Sequence, residues 1–318
     1  MKNIYLNIYK PNLANLKKAK NYLNNNNIIG LPTETVYGLA GNAYSDKSIR
    51  KIYNLKKRPK FNPLIVHYKN LKQLKFDAVC TKYFLKLYRA FCPGPITFIL
   101  YKKENSKISK IVNNGKKTIA VRIPKHIVAR NLLKILKVPL AAPSANISSK
   151  LSPTSASDVY DEFRNKIKII LDGGRCKIGL ESTIIDLTKK PTILRQGAIL
   201  PANIEKILKK KIIVNKNSKS IKSPGQLKFH YSPGIPVFMN RNRAKKNEAF
   251  ITFGNKFKNV KNNFNLSKTN NLEEAASNLY KVMRNIKNKN YKSIFVCKIP
   301  NTGMGRAIND RLKRASFK

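Results

Sequence analysis

Apolar residues recur at helical spacing early in the chain, at Leu13, Leu16, Ala19 and Leu23, and the run from Asn24 to Asn27 breaks the pattern. A helix over 11–23 follows from that spacing. The apolar stretch 28–31 predicts a strand that gives way to a turn at Pro32. Ser45 or Asp46 can cap a helix carrying Ile49, Ile52, Tyr53 and Leu55, and Pro59 disfavours helical geometry at Arg58, so this helix is expected to end near Lys57. Short apolar runs predict strands over 63–67, 96–101, 118–123, 138–142, 167–171 and 183–187, with helical patterns at 83–90, 126–136 and 156–163. A short amphipathic helix over 202–209 follows Pro201. Periodicity is then lost from 210 to 226, where Lys, Ser, Asn, Pro and Gly gather as in a linker. A smaller set of elements follows: strands over 237–239, 249–253 and 293–299, and a helix over 272–286. The pattern describes two α/β units, 1–210 and 236–318, joined by a linker at 211–235, with no internal repeat.

A length of 318 residues agrees with two units, and 42% hydrophobic residues supply apolar material for both cores. The formal charge of +50 invites a polyanion such as RNA, because neutralised phosphates release counterions. Lys, Asn and Ile crowd almost every segment, however, so the charge marks solvated surface ahead of a dedicated RNA site. A basic RNA-binding module without nucleotide turnover remains the competing reading from another class. Cys80, Cys92, Cys176 and Cys297 stand far apart with no CxxC pair, which argues against a zinc module or a disulfide framework. The first residues alternate polar with apolar, and no run of 18 or more apolar residues occurs, so a cytoplasmic protein without a membrane anchor is expected.

Four groups of residues can carry chemistry. In the first, Leu31 to Leu39, Thr33, Thr35 and Tyr37 place three hydroxyls beside the carboxylate of Glu34, a set suited to a small polar ligand. In the second, Lys56, Lys57 and Arg58 precede Pro59 and the stretch from Asn62 to His67. An Arg fork and a Lys point charge on a stiffened turn can bind phosphate oxygens, although cations at a helix C-terminus also complement its dipole without any ligand. The third group is Arg122 after the strand beginning at Thr118, with Ala142, Ser144 and Asn146 after another. Ligands often sit beyond such strand ends. With only 15 acidic residues in the chain, Arg122 is expected to meet a ligand carboxylate rather than a protein one. The fourth contains Asp172, Gly173 and Gly174, the run from Gly179 to Thr183, and Arg195 before Gln196 and Gly197, where glycines permit close backbone approach. GxxxxGK[ST], HExxH, GxSxG and Cys/His metal groupings do not occur, which disfavours a P-loop, a zinc hydrolase or a serine hydrolase.

Taken in order, PTETVYGL, KKRP with NPLIVH, CPGPIT, TIAVRIP, APSAN with SPTSA, DGG with GLESTIID, and ILRQG resemble the threonylcarbamoyl-AMP synthases of the YrdC family in its long, two-domain form. SPGQLKFHYSP (223–233) resembles that family's interdomain linker and GMGRAINDRL (303–312) its C-terminal signature; the GxG itself reads as a strand-to-helix turn. Ser149 and Lys150 stand where the family often has glycine. The resemblance implies a YrdC-like twisted mixed sheet with flanking helices plus a small Rossmann-like α/β domain. It also implies that L-threonine, CO2 or bicarbonate, and ATP with Mg2+ yield threonylcarbamoyl-AMP and pyrophosphate. That intermediate would pass to downstream tRNA threonylcarbamoyl transferase proteins acting on adenosine 37, with weak tRNA binding a further expectation. Carried over by motif, Thr33, Thr35, His67, Arg122, Ala142 and Ser182 would line the threonine pocket. Lys56, Arg58, Asn62, Thr118, Ser144, Asn146, Ser152, Arg195 and Tyr231 would surround the nucleotide, with Lys56, Arg58 and Arg195 catalytic. Metal ligands are not indicated. A carbamoyltransferase of the hydrogenase-maturation type, which carries a similar domain, would need acylphosphatase and paired-Cys zinc modules that this chain lacks.

Overall fold

The computed structural model describes residues 6–215, 229–257 and 260–316. The first five residues, Ser223 to Lys228 of the linker motif and most of the expected linker lie outside them.

Helices start where the sequence offers a cap. Ser45 accepts from the Ser48 amide to open Asp46–Lys56, and Ser155 with Asp158 forms a reciprocal capping box at Ala156–Phe163. Asp46–Lys56 ends in a left-handed Lys57 with φ +49°, which turns the chain sharply between Lys56 and Arg58.

Eleven described strands form one mixed sheet. Its order is Ile8–Tyr9, Ile170–Leu171, Ile29–Leu31, Gly38–Asn42, Leu140–Ala141, Ile65–His67, Thr118–Arg122, Ile96–Tyr101, Thr183–Asp186, Thr192–Arg195 and Ile213–Val214. The last of these carries the sheet past residue 210 into the stretch read as linker. Gly38–Asn42, with two glycines in five residues, carries no strand signal in the sequence. It forms because it pairs antiparallel with Ile29–Leu31 on one side and Leu140–Ala141 on the other. The hydroxyl-rich segment 32–37 is therefore the connection of a hairpin.

Period-2 alternation divides the sheet's faces. From Thr118–Arg122, Ile119 and Val121 enter the main core with Val66, Phe98 and Ile185. Ala120 turns to the opposite face, into a small cluster with Ile65, Ile99, Ile184 and Leu194.

The second unit has a parallel four-stranded sheet, Val237–Phe238, Ser293–Val296, Glu248–Thr252 and Asn263–Asn265 in that spatial order, covered by helices Leu272–Lys287 and Gly305–Ser316. A side chain at Gly305 would collide with the Pro300 carbonyl, so the GxG is a tight helix entry. The two units share a core. Val36, Leu151 and Leu180 of the first pack in one cluster with Ala276, Leu279, Tyr280 and Leu312 of the second. Arg284 adds an ion pair to Asp158 at 3.3 Å.

Candidate active site

Ile65 and His67 share the face opposite the main core, and the parallel register sets His67 beside Arg122. A cavity opens on that face, lined by Thr33, Thr35, Arg58, His67, Arg122, Ala142, Ser144, Glu181, Ser182, Arg195, His230 and Tyr231 with apolar Val36, Ile65 and Pro143. Much of that lining stands at strand ends: His67, Arg122 and Arg195 are the last residues of their strands, and Ala142 and Ser144 follow Leu140–Ala141.

Arg195 reaches the cavity through a β-bulge. Ile193 pairs with Ile185, but Arg195 pairs with Ile184, so two residues oppose one and both Leu194 and Arg195 turn to the cavity side. Its Nε donates to the Ser182 carbonyl at 3.0 Å and Nη2 to the Ser182 hydroxyl at 3.1 Å. Ser182 Oγ is 2.7 Å from Thr97 Oγ1. Gly197 is required here, since a Cβ would lie 2.5 Å from the Thr183 nitrogen.

Arg122, 4% exposed, has a protein partner after all: Nη2 donates to Glu34 Oε1 at 2.7 Å, and Nη1 donates to Thr35 Oγ1 at 2.9 Å. Composition gave no sign of this protein partner, although Glu34 stands in the hairpin loop between Ile29–Leu31 and Gly38–Asn42. Arg122 Nε has no hydrogen-bond partner among the described residues. Burial raises the Glu34 carboxyl, but the Arg122 charge and hydrogen bond outweigh it and leave the group below its ordinary value. Burial pushes His67 down to about 3, helped by the Arg122 charge, so this imidazole is neutral at physiological pH. Arg58 donates from Nε to the Asn62 carbonyl at 3.0 Å and from Nη2 to the Pro63 carbonyl at 2.9 Å; burial lowers it to about 10, which leaves it cationic.

Five of the residues assigned to the nucleotide do not line the cavity. Lys56, 1% exposed, donates to the carbonyls of Ser144 and Asn146 and so holds the turn that presents Ser144. Asn146 ties that loop together through Ile147 and Lys150. Ser152 bonds Glu181 Oε1 at 2.6 Å. Asn62 is buried, and neither side-chain atom has a hydrogen-bond partner among the described residues. Thr118 begins the strand that Arg122 ends, about 13 Å away at the usual strand rise. Tyr37 also departs from the expectation of a ligand-facing hydroxyl: its OH donates to the Gly174 carbonyl at 2.8 Å and accepts from the Gly173 amide at 3.0 Å. The Asp172-Gly173-Gly174 turn is its structural partner and lies outside the cavity lining.

Two lining groups, Glu181 and His230, sit inside quoted motifs but carry no role in the sequence reading. Tyr231 is a buried part of the cavity wall. It is 1% exposed, holds a left-handed φ of +65°, stacks against Tyr280 at 5.8 Å and has no hydrogen-bond partner on its OH among the described residues. The free volume of the cavity is about 40 Å³, room for a few waters at most.

Among the described residues no group of three or more His, Cys, Asp or Glu comes together as a metal cage. The two carboxylates at the site, Glu34 and Glu181, are each committed to an arginine. The protein side chains therefore do not fit a resident metal ion. Among the described residues no helix is long and apolar enough to cross a membrane.

Residues 21–197 match the family model for Sua5, YciO and YrdC proteins, described as "Telomere recombination", and residues 199–316 match that for "Threonylcarbamoyl-AMP synthase, C-terminal domain". The chain belongs to the Sua5–YciO–YrdC family. Its relatives in that family include the threonylcarbamoyl-AMP synthase of Pyrococcus abyssi, 35% identical over 322 residues, covering 95% of this chain and 94% of that protein. The Bacillus subtilis threonylcarbamoyl-AMP synthase is 33% identical, covering 95% and 92%. Among solved structures, P. abyssi Sua5 complexed with L-threonine superposes with a TM-score of 0.89 at 32% identity, covering 98% of this chain and 97% of that one. E. coli YciO is similar in fold alone, with a TM-score of 0.56 at 21% identity, covering 62% of this chain and 98% of that one.

Proposed function

We propose that this chain is an L-threonylcarbamoyladenylate synthase. The observation that carries the reading is a single cavity lined on one side by the Thr33–Thr35 hydroxyls, neutral His67 and Arg122, and on the other by Arg58, Ser144 and Arg195. One half suits a hydroxy amino acid and the other suits phosphates.

L-Threonine binds with its carboxylate against Arg122, beside the Thr35 hydroxyl. Neutral His67 and the Ser182 hydroxyl add hydrogen-bonding capacity without adding charge. ATP binds against Arg58 and Arg195, and magnesium arrives with the nucleotide as part of that substrate. The amine takes up CO2, or bicarbonate with loss of water, to form a carbamate. A carbamate oxygen then attacks the α-phosphorus in line, forming the mixed anhydride and releasing pyrophosphate. Because that oxygen is already anionic, no strong general base is needed. Holding the two reactants together contributes up to roughly 7–11 kcal/mol. Arg58 and Arg195, fixed by carbonyl oxygens before the substrate arrives, oppose the charge that develops on the phosphoryl oxygens. Lys56 supports the site through the Ser144 turn. The product is suited to transfer of its threonylcarbamoyl group by a downstream tRNA-modifying partner.

Binding pockets for small molecules run to roughly 300–1,000 Å³, so the cavity, at about 40 Å³, widens to hold both substrates. The deciding experiment measures pyrophosphate released from ATP with threonine and bicarbonate supplied singly and together. Release only when both are present supports the reading; release indifferent to threonine, or salt-sensitive duplex-RNA binding without any turnover, rejects it.

A further inference from the structure

Glu181 lines the cavity, is 6% exposed and takes no part in the chemistry above. It is nonetheless among the most heavily bonded side chains in the protein. Its carboxylate accepts from Ser152 Oγ at 2.6 Å, from Tyr280 OH at 3.1 Å to each oxygen, and from Arg311 Nε at 3.0 Å.

Tyr280 and Arg311 belong to the two helices of the second unit, Leu272–Lys287 and Gly305–Ser316. Arg311 is 1% exposed and spans the boundary: Nη1 donates to the Gln196 carbonyl at 2.7 Å and pairs with Asp310 at 3.1 Å. Its guanidinium also lies 5.4 Å from the centre of the Tyr231 ring. On the other flank, Glu181 precedes Ser182, whose carbonyl and hydroxyl hold Arg195. Two buried arginines from different units therefore act on one buried carboxylate.

The geometry matters because a buried carboxylate takes whatever cation is in reach. With Arg311 and Tyr280 in place, the Glu181 oxygens are satisfied from the side of the second unit. Arg195 then stays on the Ser182 carbonyl with its charge facing the cavity. Besides Arg311, Arg195 is the arginine whose charge acts on Glu181.

We infer that Arg311 and Tyr280 are positioning residues for the nucleotide half of the site, saturating Glu181 so that the Arg195 charge remains available to an anionic substrate. The second unit thus has a specific electrostatic task in the first unit's reaction. This rests on the reading of Arg195 as a phosphate-facing group.

The test uses the full chain, α,β-methylene-ATP binding by calorimetry, and steady-state pyrophosphate release. Arg311→Met raises the analogue Kd and the KM for ATP by about tenfold or more while the KM for threonine stays within about twofold. Removing the carboxylate as well, in Glu181→Gln/Arg311→Met, brings the ATP KM back to within about threefold of wild type, because the unpaired carboxylate no longer draws on Arg195. A simple structural staple predicts the opposite: both substrates weaken together and the double variant is no better than Arg311→Met. Either of those results overturns the inference. Arg195→Ala tests the premise separately: unchanged analogue binding there removes the phosphate-facing assignment, whereas loss there with none in Arg311→Met removes only the inference. If Arg311→Met does not fold, Tyr280→Phe carries the test, with an expected rise of about two- to threefold confined to the ATP KM; an unchanged ATP KM overturns the inference.

Discussion

Replacing Arg122 by Met separates what this residue does for the fold from what it does for the substrate. Methionine keeps much of the apolar volume and removes the charge, so Glu34 is left buried with only the amides of Lys125 at 3.0 Å and His126 at 3.3 Å. Breaking a buried pair on one side costs roughly 3–5 kcal/mol. An escape route caps that figure. Glu34 can take up a proton, and from an ordinary carboxyl value of 4.5 this costs about 3 kcal/mol at pH 7. With roughly 2–4 °C per kcal/mol for chains approaching this size, the midpoint should fall by about 6–12 °C in a calorimetric melt at pH 7. The sign of the pH dependence follows. Wild-type Glu34 has a lowered pKa, so its stabilisation is present above the unfolded value and is lost as the pH falls through the folded one. In the variant the Glu34 pKa is raised by burial, so the gap between the two proteins narrows on acidification from pH 7 to 4. Glu34→Gln/Arg122→Met should recover most of the lost stability, yet remain defective in threonine-dependent pyrophosphate release. A missing charge partner for the substrate carboxylate is worth about 2–5 kcal/mol, or roughly thirtyfold to several thousandfold in kcat/KM. A midpoint shift under about 2 °C, or a double variant no more stable than the single one, refutes the account of the buried pair. Wild-type threonine dependence in the double variant refutes the account of the pocket.

Other outcomes follow from the same geometry. Glu181 sits at about 2, because Arg311, Arg195 and the Ser152 hydroxyl together outweigh burial; its contribution of about 3 kcal/mol is complete above the unfolded value near 4.5 and disappears as the pH falls towards 2. Urea titrations between pH 6 and 2.5 should show this slope, and Glu181→Gln should flatten it. Arg58→Ala should lower kcat by about 100-fold or more while threonine binding, measured by calorimetry, changes little. Ser149 holds φ +70°, and Ser149→Gly should relieve about 1 kcal/mol of left-handed strain while keeping its carbonyl bonded to the Ser232 amide, raising the urea midpoint.

Periodicity exposed most of the long elements. Ile96–Tyr101 and Ala156–Phe163 fall where the pattern sets them, and the helix ending at Lys56 stops where Pro59 requires. Gly38–Asn42 was illegible because neighbouring strands, rather than its own residues, hold it in the sheet. Arg122, Ser182 and Arg195, singled out from separate motifs, line one cavity, but charge counting did not reveal Glu34 beside Arg122, since composition says nothing about where Glu34 lies. The bulge that aims Arg195 leaves no trace in the run Thr192–Arg195. Arg311 was hidden for a different reason. Its partner lies 130 positions away, and only the packing of one unit on the other makes them neighbours.

The shared core sets terms for how this architecture can be inherited. Cutting the chain after the large sheet would bare Val36, Leu151 and Leu180 and leave Glu181 charged without Arg311. A stand-alone descendant of the first unit therefore has to change at those positions together, with polar residues replacing the apolar ones and an uncharged residue in place of the glutamate. The second unit and the charge on Glu181 are in this sense one unit of design: neither is tolerable in this packing without the other.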